Sequence, residues 1–115
     1  MAKHNESGKK AEIAASQFLQ QKGCKIVDNN WKTRQCEIDI VAVRGDVVYF
    51  CEVKYRSQTR QGFGIEYVTR KKLQQMKFAA ESWVHTHSWR GDYELCAIEV
   101  TGAKFRITNV VKGLT

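Results

Sequence analysis

The run IDIVAVRGDVVYFCEVKY, residues 38–55, decides the fold. Two stretches rich in β-branched and aromatic residues, Ile38 to Val43 and Val47 to Tyr55, flank Arg44-Gly45-Asp46, which is the composition of a β-hairpin. A two-residue turn at Gly45-Asp46 pairs Arg44 with Val47. Counting outward then sets Val43 opposite Val48, Val41 opposite Phe50 and Asp39 opposite Glu52. Strict alternation puts Asp39, Glu52 and Lys54 on one face with Val41, Val43, Val48 and Phe50. Ile38, Ile40 and Ala42 share the reverse face with Tyr49, Cys51 and Val53. Both faces are apolar and both need covering, so the hairpin is expected in the middle of a sheet.

The flanks supply the covers. From about Ser7 to Lys22, Ala11, Ala14, Ala15, Phe18 and Leu19 recur at helical spacing, with Ser7 as N-cap and Gly23 just past the end. A short strand from Cys24 to Asp28 follows, and Asn29-Asn30 reads as a turn. Beyond the hairpin, Ser57 to Gly64 is a basic loop carrying Arg60. Thr69 caps a second helix running to about His85 on Leu73, Met76, Ala80, Trp83 and Val84. Tyr93 to Val100 and Lys104 to Val110 form a last hairpin. The order α, β, β, β, α, β, β predicts a mixed α/β sheet with helices on its faces. Arg44-Gly45-Asp46 and Arg90-Gly91-Asp92 both read as turns rather than adhesion motifs.

With 115 residues the chain has room for one core, so a single domain over residues 1–115 is expected, its ordered part about 7–110. No apolar run approaches the ~20 residues of a bilayer span, and Met-Ala-Lys-His-Asn-Glu lacks the apolar core of a secretory signal, so the expected location is the cytoplasm. The spacings of Cys24, Cys36, Cys51 and Cys96 fit neither a disulfide scaffold nor a zinc site, which leaves reduced, mostly buried thiols. His85 and His87 diverge by ~200° at a helix end and make a poor metal pair. A net charge of +7 favours polyanionic partners.

Asp39, Glu52 and Lys54 interrupt an apolar face, where charges cost several kcal/mol unless paired. Two carboxylates across a ladder repel, and a divalent cation between them converts repulsion into coordination; the all-oxygen set suits magnesium, with manganese as substitute. Such an ion polarises a phosphoryl group and acidifies water, while the Lys54 ammonium orients that water or neutralises developing charge. The same three residues also read as ordinary salt bridges at a strand end. Glu12 borders the apolar stripe of the first helix and is a fourth candidate carboxylate; a solvated glutamate is the plain alternative. Lys72 holds the matching place on the second helix, where a snorkelling lysine is the plain alternative.

Taken together, Gly8-x-x-x-Glu12-x-x-Ala15, Asn30 before Glu37-Ile38-Asp39-Ile40-Val41, Phe50-Cys51-Glu52-Val53-Lys54-x-Arg56, Phe63-Gly64 and Val68-Thr69-x-x-Lys72 closely resemble the YraN-like bacterial family, from about Gly8 to Gly102. That family groups predicted endonucleases related to archaeal Holliday junction resolvases, in the restriction-endonuclease-like PD-(D/E)xK superfamily. The resemblance implies a restriction-endonuclease-like mixed sheet flanked by helices. It implies that Asp39 and Glu52 bind metal with the backbone carbonyl of Val53, that Lys54 serves the attacking water, and that Glu12 adds a carboxylate. Lys72 matches a family lysine that contacts phosphate, and the products would carry 5′-phosphate. Cys36 and Ala11 stand where the family usually has glycine, and Cys96 where it usually has aspartate.

DNA contact is expected from Arg34, Arg56, Arg60, Arg70, Lys71 and Lys72, with weak sequence selectivity and strong salt dependence. Trp31, Phe63 and Trp89 are candidates to stack on exposed bases, although aromatic residues more often fill cores. The expected function is a metal-dependent endonuclease on branched or other non-B-form DNA. The dimeric habit of the related resolvases leaves a homodimer open. A non-catalytic DNA-binding module on the same fold, or a protein-interaction adaptor with purely structural carboxylates, are the rival readings.

Overall fold

A computed structural model describes residues 5–57 and 68–114. Its elements are α1 (Glu6–Gln21), β1 (Lys25–Lys32), β2 (Glu37–Arg44), β3 (Val47–Arg56), α2 (Arg70–Thr86), β4 (Asp92–Thr101) and β5 (Arg106–Leu114). The five strands form one sheet in the order β1-β2-β3-β4-β5. Neighbours run antiparallel except β3 and β4, which are parallel. The chain between them includes α2, because a parallel return needs a crossover long enough to span the sheet.

The hairpin takes the expected register, with Arg44 opposite Val47, Val41 opposite Phe50 and Ile40 opposite Cys51. Gly45 opens the turn at φ 63°, a conformation that suits glycine. Helix α1 lays Ala11, Ala15 and Leu19 against one face of the sheet, where Ile40, Cys51 and Ile98 belong to the same core. Helix α2 covers the other with Met76, Ala80 and Trp83, packed with Val41, Phe50 and Leu95. Both faces of the central strands are therefore covered, as their sequence requires. All four cysteines are free and buried. Among the described residues, no helix is long and apolar enough to cross a membrane.

Several local expectations are corrected. Asn5, rather than Ser7, caps α1: its Oδ1 accepts the Gly8 N–H at 2.8 Å. Asn29 and Asn30 do not turn the chain. Strand β1 runs through them to Lys32, Asn29 pairs with Ile40, and Asn30 absorbs a local kink at φ 55°. Asparagine tolerates that left-handed conformation, so a residue typical of turns sits inside a strand. Gly91 is not a positive-φ turn residue either; a Cβ there would overlap the Asp46 carbonyl, whose oxygen accepts the Asp92 N–H at 2.8 Å. The second Arg-Gly-Asp triplet is thus a close crossing of the first. Arg60 and Phe63 lie outside the described residues.

A candidate active site at the open end of the hairpin

Hydrogen-bonded pairing of β2 with β3 stops at Ile40–Cys51, one pair short of the expected partnership of Asp39 with Glu52. Here β2 also breaks its alternation. Ile40 packs in the core under α1 while Ile38 packs in the core under α2, where strict alternation would put both on one side. Asp39 sits at the break, and its Oδ2 accepts the Val53 N–H at 2.7 Å. A side-chain oxygen thus takes the place of the backbone partner that β2 no longer offers to β3, which satisfies a buried donor. Asp39 is completely buried.

Glu52 follows the face of Phe50 toward α2 and is 5% exposed. Its Oε2 lies 3.5 Å from the ammonium of Lys72 in the first turn of α2. The placement of that lysine comes from its helix cap, since the Thr69 hydroxyl accepts the Lys72 N–H at 3.1 Å. Lys72, for which the family resemblance implies a phosphate contact, lies against Glu52 in this structure. Only the packing of α2 on the sheet reveals that pair, because the two residues are distant in the chain.

A cleft of about 370 Å³ opens beside this point, bounded by Glu12 and Gly8 of α1 and by Glu52, Val53, Lys54 and Tyr55 of β3. Glu12, Glu52, Val53 and Lys54 are therefore brought together, with Asp39 joined to them through Val53. Lys54 is exposed and Glu12 half-buried. The donor set is oxygen only: two carboxylates on the cleft, a third behind it, and a peptide carbonyl. That set fits a hard cation such as magnesium. Among the described residues, no three acidic, histidine or cysteine side chains form a ready cage. Magnesium sites commonly rest on one or two carboxylates and are completed by water and substrate phosphate.

The expected DNA contacts divide. Arg70 and Lys71 stand exposed in the first turn of α2, and Arg34 is exposed between β1 and β2, at the end of the sheet that carries the cleft. Arg56 is drawn inward, with its Nε 2.9 Å from Oε2 of Glu99. Glu99 is 8% exposed and accepts the Thr108 hydroxyl at 3.1 Å. It aligns with Lys54 across the parallel pairing of β3 and β4, a neighbour that only the strand register exposes. Trp31 and Trp89 are partly buried and pack against the core under α2. Trp31 Nε1 donates to the Ala79 carbonyl at 3.1 Å, and Trp89 Nε1 to the Asp92 carbonyl at 2.9 Å. The three departures from the family pattern, Ala11, Cys36 and Cys96, are all buried in the two cores, where small side chains fit.

Fold and site define a class: a one-domain α/β protein of restriction-endonuclease-like build, with buried carboxylates where its central hairpin opens. Residues 11–108 match the family described as "Uncharacterised protein family UPF0102". The chain belongs to that UPF0102 family, the YraN-like group whose motifs it shares. It is 36% identical to a UPF0102 protein of Cytophaga hutchinsonii over 104 residues, covering 90% of this chain and 92% of the relative. It is 34% identical to a UPF0102 protein of Ectopseudomonas mendocina over 107 residues, covering 90% of each. A UPF0102 protein of Leifsonia xyli is 34% identical over 87 residues, or 76% of this chain and 74% of the relative.

Proposed function

We propose that the chain is a magnesium-dependent endonuclease acting on branched or otherwise non-B-form DNA, related in its chemistry to the Holliday junction resolvases, and that it works in the cytoplasm. The reading is carried by Glu52, a buried carboxylate that shares one cleft with Glu12 and Lys54 and adjoins the peptide held by Asp39.

Glu52, Asp39, Glu12 and the Val53 carbonyl would hold magnesium. When bound, the ion supplies Lewis acidity toward the phosphoryl group and a more acidic water. Asp39, by taking the Val53 N–H, fixes the peptide next to Glu52 and so the direction of the donors. Lys54, exposed on the cleft, orients the attacking water or offsets charge on the phosphoryl oxygens. Water adds to phosphorus, the bond to the 3′ oxygen breaks, and the products end in 3′-hydroxyl and 5′-phosphate. Arg34, Arg70 and Lys71 carry phosphate contacts outward from the cleft.

The pairing of Lys72 with Glu52 favours one rival, a DNA-binding module whose carboxylate serves only to anchor α2. Cleavage separates the two readings. Four-way junction, flap and linear duplex are incubated with the full chain and magnesium or manganese. Cutting of the branched substrates is expected, with a fall on the order of 10²–10³ in Asp39→Asn, Glu52→Gln and Lys54→Ala. Binding without cutting, or cutting that survives those substitutions, would refute the catalytic reading.

A further inference from the structure

The C-terminal half of α1 meets the sheet near the turn of the hairpin, and there a cavity of about 210 Å³ lies between helix and strands. Its walls are apolar, from Phe18, Leu19, Tyr49, Ile98 and Val110. The described charged residues that line it are Lys22, Arg44 and Lys112, all of them cations. The three cations are exposed around its rim, and with no carboxylate among the described lining residues the cavity mouth is electropositive.

Two of the cations are held in place. Arg44 donates from Nη1 to the Lys22 carbonyl at 3.1 Å, and its Cδ lies 3.6 Å from where a Cβ on Gly23 would stand. The Lys22 ammonium rests 5.6 Å from the centre of the Phe18 ring. Cys24 also lines the cavity; burial holds its thiol above the usual value, with Arg44 and Lys112 pulling it down and Cys96 pushing it up.

We propose that this cavity binds a small amphipathic anion, a single ring or a short acyl chain bearing one carboxylate, with the carboxylate at Arg44 and Lys112 and the body among Phe18, Tyr49 and Val110. Size supports that class, because an apolar cavity of roughly 150 Å³ accepts benzene. A guanidinium fork beside an ammonium suits a carboxylate. The site is independent of Glu52 and Glu12, which line a different cleft.

Calorimetric titration of the full chain with sodium octanoate tests the assignment, with 1-octanol as the uncharged control. One saturable site per chain is expected, with binding about tenfold weaker in Arg44→Gln and in Lys112→Gln, and tenfold weaker again for octanol. Val110→Trp, which fills the chamber, should abolish binding; near-UV circular dichroism and a urea midpoint check that it folds. Val110→Met is the milder substitute if it does not, and should weaken binding. Absence of saturation, equal affinity for octanol, or wild-type affinity in a folded variant at residue 110 would overturn the proposal.

Discussion

The two halves of the β2–β3 hairpin are built from the same two strands and do opposite things. In the half nearest the turn the ladder is closed from Arg44–Val47 to Ile40–Cys51, and Val41, Ala42, Val48 and Phe50 are completely buried and apolar. In the far half the ladder ends, and two carboxylates, Asp39 and Glu52, are buried beside the apolar Ile38 and Val53. The closed half gains stability from apolar burial on both faces. The open half carries the desolvation of two carboxylates, offset in part by the Val53 N–H and the Lys72 ammonium. An apolar scaffold thus ends in a polar fork, the arrangement that the proposed activity needs and that costs local stability.

The sharpest way to break the comparison lies in the closed half. Phe50 meets Trp83 and Tyr93 edge-on, with ring centroids 5.7 Å and 5.9 Å away, so Phe50→Ala should cost about 3–5 kcal/mol in urea unfolding. A loss below about 1 kcal/mol would mean that this half is not the scaffold. In the open half, Asp39→Ala strands the Val53 N–H and should cost about 1–3 kcal/mol, whereas Asp39→Asn keeps an acceptor and should lose less. A gain in stability on Asp39→Ala would show that desolvation of the carboxylate outweighs its hydrogen bond.

A smaller effect, about 1 kcal/mol, is expected for Lys72→Met, since its side chain is a quarter exposed and the pair is partly screened by solvent. The same variant should bind manganese severalfold more tightly, because a positive charge has left Glu52; unchanged affinity would place the ion elsewhere. The smallest expected effect is alkaline. Cys51 is held well above the usual thiol value of 9.0, first by its hydrogen bond with Cys96 and then by burial. A raised value in the folded state means full stability below pH 9.0 and loss as pH climbs from there toward the folded value. Urea midpoints between about pH 8 and 11 should fall in wild type and fall less in Cys51→Ala. Tyr93, raised above 10.0 by burial and by its bond to Glu81, adds to the loss at the upper end in both proteins.

Much of this was legible in the chain. Alternation along residues 38–55 gave the closed ladder pair by pair, and Thr69 marked the start of α2, because both signals are local. What escaped was set by contacts across the fold. Ile38 was expected beside Ile40 and instead packs under the opposite helix, at the point where the ladder of β2 with β3 ends. The parallel register of β3 and β4, which sets Glu99 beside Lys54, has no counterpart in residue spacing. Among the site residues, Glu12, Asp39, Glu52 and Lys54 could be named from residue type and motif, while the partnership of Lys72 with Glu52 required the docking of α2.

The most direct test is a crystal of the full chain soaked in manganese and measured for anomalous scattering. A single peak is predicted at the fork, within bonding distance of Glu52, Asp39 and the Val53 carbonyl, with the Lys72 ammonium displaced from Glu52. No peak there at saturating manganese, with Lys72 still seated on Glu52, would contradict the metal-dependent reading.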